Sequence, residues 1–266
     1  MHTRSLNTGI FLISVFLAGI IFCRTAAAQS PEEMQTLRLF YKEKDLVTSA
    51  TRYPKPVSQA AENITVITAK EIEAMNAHTV AEALNRTPGL FVSFNQDFGA
   101  ASLISIQGSE PRHVLVLVDG IPWNFMSEGS AETRSIPTGI IERIEIIKGP
   151  ASSAWGSSLG GVINILTKSA GKTERPAGTV KVSYGEGRTW DASAQVSGLA
   201  GPVGYYLYAG RRESDGLRSS REFVSSSLFS KFSVPVAEDV DLGLTIGVSN
   251  PKNKLGDFPS GDATVS

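Results

Sequence analysis

Four groups of residues have types and spacings that could do chemistry: a carboxylate pair, Glu142 and Glu145; two histidines, His78 and His113; serines Ser152, Ser153 and Ser157 in the glycine-rich stretch Gly149 to Gly161; and one cysteine, Cys23. Each lacks what its chemistry requires. An acid-base pair must converge on one substrate, but residues three apart on a strand point to opposite faces, so Glu142 and Glu145 are read as structural ion-pair partners of Arg143, Arg134 or arginines elsewhere in the chain. The serine stretch lacks the Gly-Lys-Ser/Thr ending of a phosphate cradle and has no nucleophile-elbow context. Three histidines in the chain, the two in question far apart in sequence, give a metal site little material. The expectation is a protein that is not an enzyme, with no catalytic residue, no metal and no cofactor.

Composition points the same way. The 266 residues are 41% hydrophobic, enough for a real core, and 25 Lys+Arg against 26 Asp+Glu give a net charge of -1. Without a basic field to neutralise phosphates, a dedicated nucleic-acid binder is disfavoured. The chain opens with Arg4, an apolar run from Ile10 to Phe22, and Ala26-Ala27-Ala28, the pattern of a cleaved secretory signal. The apolar run has 13 residues, short of the ~20 that a spanning helix needs. Phe22 is too bulky to precede a lipoprotein cysteine. Cleavage after Ala28 would remove Arg4, Arg24 and Cys23, leaving a mildly acidic exported chain without a disulfide or a thiolate cluster. No later stretch is long and apolar enough for a spanning helix, so membrane residence would have to be peripheral or built from strands.

The elements follow in order. Gln29 to Ala61 reads as a polar, proline-containing leader. Ile64 to Ile67 is a short strand; Thr68 with Glu71, and Thr79 with Glu82, are capping boxes that start two short helices. The second buries Val80, Ala83 and Leu84 and stops at Thr87-Pro88-Gly89. Strands are expected at Leu90 to Phe94, Ser102 to Gln107 (Leu103 alternating with serines), Val114 to Val118, Ile140 to Lys148 and Val162 to Thr167. Asp119-Gly120 supplies a tight hairpin. This is a compact α+β domain up to about Lys168. Beyond Lys172 the period becomes 2: Val180, Val182, Tyr184; Ala192, Ala194, Val196; Tyr206, Tyr208; then Phe223 to Val234 and Leu242 to Val248. The connections alternate between short (Gly201-Pro202, Ala237 to Asp241) and long (Arg211 to Glu222). That is the pattern of an outer-membrane barrel, although a soluble antiparallel sheet alternates in the same way.

Three segments carry a resemblance: Val114 to Pro122, Ile141 to Pro150 and Gly160-Gly161-Val162-Ile163-Asn164-Ile165. In this order, with Ala81-Glu82-Ala83-Leu84 and Pro88-Gly89 upstream, they closely resemble the plug domain of TonB-dependent outer-membrane receptors. The resemblance is dense from Asn63 to Lys168. It implies an α+β plug domain followed by antiparallel β strands of an incomplete transmembrane β-barrel, because Thr179 to Ser266 has room for about five strands at ~10 residues each, whereas the family closes about 22. Such a chain is expected to be a truncated product or a partial gene. The implied domains are a signal peptide (1–28), a leader (29–61), a plug (62–170) and the start of the barrel (178–266).

The resemblance further implies a place in the cell outer membrane, contact with its lipid, and the TonB energy-coupling complex as partner. The solute would be scarce and bulky: an iron-siderophore, haem or cobalamin. The nearest match to the energy-coupling strand, the TonB box, is Asp45, Leu46, Val47, Thr48 and Ser49. Loops at the plug's outer tip face the solute in this family, which singles out Phe94, Asn95, Gln96, Phe98, Trp123, Asn124 and Phe125; the same aromatics could instead pack the plug against the barrel. The rival reading is a stand-alone periplasmic plug-like binding module or a non-functional gene fragment.

Overall fold

The computed structural model describes residues 46–47, 55–56, 63–94, 102–151, 155–156, 158–216, 222–237 and 240–253. Residues 1–28, read above as a signal segment, most of 29–61, and Ser152, Ser153 and Ser157 lie outside these residues, as do Asp45, Thr48, Ser49, Asn95, Gln96 and Phe98. Among the described residues no helix is long and apolar enough to cross a membrane.

The first described strand, β1 (Leu46–Val47), pairs antiparallel with β2 (Lys55–Pro56). The plug runs β3 (Asn63–Thr68), α1 (Ala69–Ala74), α2 (Val80–Asn85), β4 (Leu90–Phe94), β5 (Ser102–Ile106), β6 (Val114–Val118), β7 (Ile121–Pro122), β8 (Ile141–Lys148) and β9 (Gly161–Thr167). Its sheet has the order β3-β8-β9-β6-β7, antiparallel except for the parallel pair β6 and β9. Both helices start as their sequences require. Thr68 and Glu71 close a reciprocal capping box. At α2 the Thr79 hydroxyl caps Glu82 N–H, while Glu82 Oε2 reaches back one residue further than expected, to His78 N–H at 2.9 Å. Asp119 (φ 49°) and Gly120 (φ 81°) form the two-residue turn between β6 and β7, the positive-φ geometry that matches strand twist.

The core lies where the helices cover one sheet face, with Ile144, Ile146, Ile163, Ile165, Val116, Val80 and Leu84 buried. A smaller cluster on the opposite face joins Leu117, Ile147 and Val162. Central strands buried on both faces lose simple alternation, which is why β8 buries four consecutive residues, Ile144 to Ile147, with Glu145 among them. In the β4–β5 hairpin Ser102, Ile104 and Ile106 turn inward and Leu103 faces out.

The second sheet is an antiparallel meander: β10 (Ala177–Gly185), β11 (Thr189–Ala200), β12 (Val203–Ser214), β13 (Phe223–Ala237) and β14 (Val240–Asn253). All five expected strands are present, with two corrections. The stretch from Arg211 is not yet linker, since β12 continues through Ser214. The turn from Glu186 to Arg188 is short, so only the β12–β13 connection at the Glu186 end is long.

The register separates the two faces of this sheet. One row crosses Val180, Ala194, Ala209, Leu228 and Val248, and the next Val196, Leu207 and Ile246. Val180 is 75% exposed and Leu228 63% exposed. Tyr184 faces Trp190 at one end of this apolar band, and Tyr205 faces Phe232 at the other. Trp190 and Gly198, the partner of Tyr205, are eight residues apart on β11. That is roughly 26 Å along the strand, or ~20 Å of height at a ~40° tilt, comparable with the ~25 Å apolar belt of a membrane barrel between aromatic girdles. The opposite face carries Lys181, Asp191, Gln195, Arg212, Ser225, Ser227 and Lys231. The aliphatic side chains of this sheet point away from the plug and most of its charged ones toward it, the reverse of a soluble domain.

Candidate functional site

The polar face of the meander meets the plug in a band of hydrogen bonds and ion pairs. Its firmest point is Asp119, at the β6–β7 turn. Asp119 Oδ1 accepts from Thr167 N–H at 2.8 Å and Oδ2 from the Thr167 hydroxyl at 2.6 Å. Lys231 Nζ, from β13, donates to the same Oδ2 at 2.9 Å and to Thr167 Oγ1 at 2.6 Å. One carboxylate thus ties a turn, a strand end and the wall together with charge-assisted bonds.

A second point lies around Gly139, in the 3-10 turn Thr138–Ile140. Lys168 Nζ donates to Gly139 O at 2.7 Å and to Gln195 Oε1 at 2.8 Å; Tyr206 OH donates to Gln195 Oε1 at 2.8 Å. A Cβ on residue 139 would stand 2.5 Å from Tyr208 Cε2, so only glycine lets the wall approach this closely. Tyr206, Tyr208 and Phe229 pack into the plug's own core, with the rings of Tyr206 and Phe229 edge to face at 6.1 Å.

The third point is the helical corner of the plug. Lys181 pairs with Glu73 at 2.7 Å, His78 Nδ1 lies 3.5 Å from Asp191 Oδ2, and Arg212 donates to His78 O while its guanidinium stacks 5.7 Å from the Phe223 ring centre. The bond to Asp191 raises the His78 pKa above its ordinary value against the opposing effect of burial. The bond from Lys181 lowers that of Glu73. Burial is the main influence on Lys168, and it lowers that pKa. At the rim, Arg134 Nη1 donates to Asn253 Oδ1 at 2.9 Å.

The residues named from the sequence fall into three groups. Leu46 and Val47 form a strand, with register partners Pro56 and Lys55, and Val47 is fully buried. Phe94, Trp123 and Phe125 are 40%, 41% and 53% exposed, and Trp123 Nε1 donates to Glu132 O at 2.9 Å. Asn124 is different. Its amide donates to Val114 O and Gly129 O, and its Oδ1 accepts from Val116 N–H, so the side chain holds its own hairpin together. Arg143 Nε bonds Glu145 Oε1 at 2.8 Å and Arg143 Nη1 lies 3.9 Å from Glu142, the structural ion pairing expected. Of the residues that bind plug to wall, Asp119 is read from the sequence only as a turn residue, and Thr167, Lys168, Gln195 and Lys231 are left out of the site; for Gln195 and Lys231 the available signal is their place on the polar face of an alternating strand.

Residues 56–162 match the family model described as TonB-dependent Receptor Plug Domain. The vitamin B12 transporter BtuB of Photobacterium profundum is 32% identical over 179 residues, which cover 66% of this chain and 29% of that protein. The pyoverdine outer membrane receptor FpvA of Pseudomonas aeruginosa PAO1 has a similar structure, with TM-score 0.67 and 24% identity over 78% of this chain and 30% of that one. The siderophore receptor PirA of Acinetobacter baumannii gives 0.57 and 23%, covering 71% and 32%. The chain spans about a third or less of the length of each.

Proposed function

Because the chain carries a TonB-dependent receptor plug domain ahead of antiparallel strands like those that begin such a receptor's barrel, we infer that it serves energy-gated uptake across the outer membrane. The family consists of transporters and receptors, not enzymes, and the work done is conformational. The observation that carries the reading is the inverted sheet: an apolar band suited to lipid on one face, and on the other a polar surface bonded to the plug through Asp119, Lys168 and the helical corner.

In this reading residues 1–28 are cleaved after Ala28, 29–61 form the leader, 62–170 the plug and 178–266 the opening of the wall. The solute is a scarce bulky one of the siderophore, haem or cobalamin class. It is met by the aromatics Phe94, Phe98, Trp123 and Phe125 with Asn95 and Gln96 beside them. Asp45 to Ser49 is the coupling strand. Its β1 segment pairs over only two residues, and Pro56 opposite has no N–H to give, so the pairing is weak enough for a partner strand from the TonB complex to replace it. Force on the leader then shifts the plug against the wall.

The test deletes the gene and follows uptake of ferric siderophores, haem and cobalamin. One of these should be lost, restored by the intact gene, and not restored by Leu46→Pro, which blocks strand pairing. Unchanged uptake of every solute would overturn the receptor reading; full rescue by Leu46→Pro would overturn the assigned coupling strand.

A further inference from the structure

Between α1 and strands β10 and β11 lies a cavity of about 730 Å³, lined by Glu73, His78, Lys168, Lys181, Asp191 and Gln195 among others. The two hydrogen-bond acceptors of Lys168, Gly139 O and Gln195 Oε1, are both neutral, and among the described residues none of the ion pairs includes it. A neutral amide could bridge the same two acceptors at a lower cost of burial. Glu73 and Glu142 act on Lys168 only through space, and an ammonium in a polar cavity with no carboxylate bonded to it can take one from a ligand. Burial first and the neighbouring Lys181 charge second lower the Lys168 pKa, outweighing the opposite pull of Glu73 and Glu142.

We propose that this cavity receives an oxyanion group, a carboxylate or phosphate carried by the solute in transit, and that Lys168 binds it. This inference rests on the receptor reading and deepens it by assigning a charge preference to the space between plug and wall. The cavity adjoins the helical corner, where plug and wall meet through Glu73–Lys181 and His78–Asp191, whereas the Asp119 seat closes the interface elsewhere. Movement of α1 away from β10 and β11 would widen the cavity without breaking that seat.

A labelling experiment reads the charge preference without any transport. Ser193, which lines the cavity, is changed to cysteine in the full receptor held in outer-membrane vesicles. It is treated with a sulfonate-bearing and, separately, a trimethylammonium-bearing methanethiosulfonate, each rate being normalised to that at Ser127→Cys on an exposed plug loop. The anionic reagent should react several-fold faster than the cationic one, and Lys168→Gln should bring the ratio close to one while Lys168→Arg retains it. Thr179→Cys serves if Ser193→Cys does not fold. Equal rates, or a ratio untouched by Lys168→Gln, would overturn the site. In cells, Lys168→Gln should also slow uptake several-fold; a lost labelling ratio with unchanged uptake would mean that free anions alone bind there, and the link to the solute would fall. Failure of the receptor reading shows separately, as unchanged uptake on gene deletion.

Discussion

In the plug, β8 and β9 bury isoleucine and valine on both faces, under the helices on one side and a smaller apolar cluster on the other. In the meander, the exposed large apolar residues include Val180, Val182, Tyr184, Leu228, Leu242, Leu244, Ile246 and Val248, while Lys181, Arg212, Ser225, Ser227 and Lys231 face the plug. The two regions share a chain and a similar stock of β-branched and aromatic residues. What separates them is the solvent each face is built for: the plug is a water-soluble body, and the wall is a sheet whose outer side requires hydrocarbon. The contrast implies that equal substitutions should have unequal effects depending on which region and which solvent receives them.

The largest effect is expected in the plug core. Ile163 is fully buried at the centre of its sheet, and Ile163→Ala should cost about 2–5 kcal/mol, read as a lower urea midpoint for the plug's amide protection whether the protein sits in lipid or in detergent. A similar loss, about 2–4 kcal/mol, is expected for Leu228→Arg in the middle of the apolar band, but only in a bilayer. Read by urea unfolding in lipid vesicles, that loss should vanish for Ser227→Arg, one residue along and on the other face, apart from steric disturbance at the plug. If Leu228→Arg were harmless in lipid, the wall would be an ordinary soluble sheet and the contrast between the two regions would disappear.

What the sequence made legible, and what it hid, follows the same division. Capping residues, the Asp119-Gly120 turn and strand positions were readable because each is a local rule acting over a few residues. The sign of an alternation is not local. Tyr206 and Tyr208 turn to the plug, leaving Leu207 and Ala209 outside, and only the plug's position decides that choice. Arg211 to Ser214 read as linker because four charged or polar residues in a row match a loop, yet as strand they send Arg212 to the plug and Arg211 outward. Glu145, in a strand read as alternating, is fully buried beside Arg143 because β8 is central and covered on both sides. The polar seats between plug and wall depend on contacts between distant segments, such as Asp119 with Lys231, which no spacing in the sequence marks.

The smallest expected effect probes whether the helical corner is the looser part of the interface. His78 faces Asp191 from β11, Glu82 from α2 and Arg212 from β12; the first two favour its charged form, while Arg212 and burial oppose it. The net result is a raised pKa in the docked state. Stabilisation from the charged pair is therefore fully present below the ordinary histidine pKa of about 6.5 and is lost as pH rises through the raised value. Because both side chains are partly exposed, at 25% and 21%, solvent screening limits the pair to well under ~1 kcal/mol. Amide exchange in α1 and α2 should accelerate by a small factor on going from pH 5.5 to pH 8, after correction for intrinsic exchange. Exchange at β6 and β9, anchored by Asp119, should keep its protection. Asp191→Asn should remove the pH dependence in the helices by accelerating exchange at the acid end. An equal response at β9 would mean that the plug leaves the wall as one body, and the distinction between a firm seat and a loose corner would be lost.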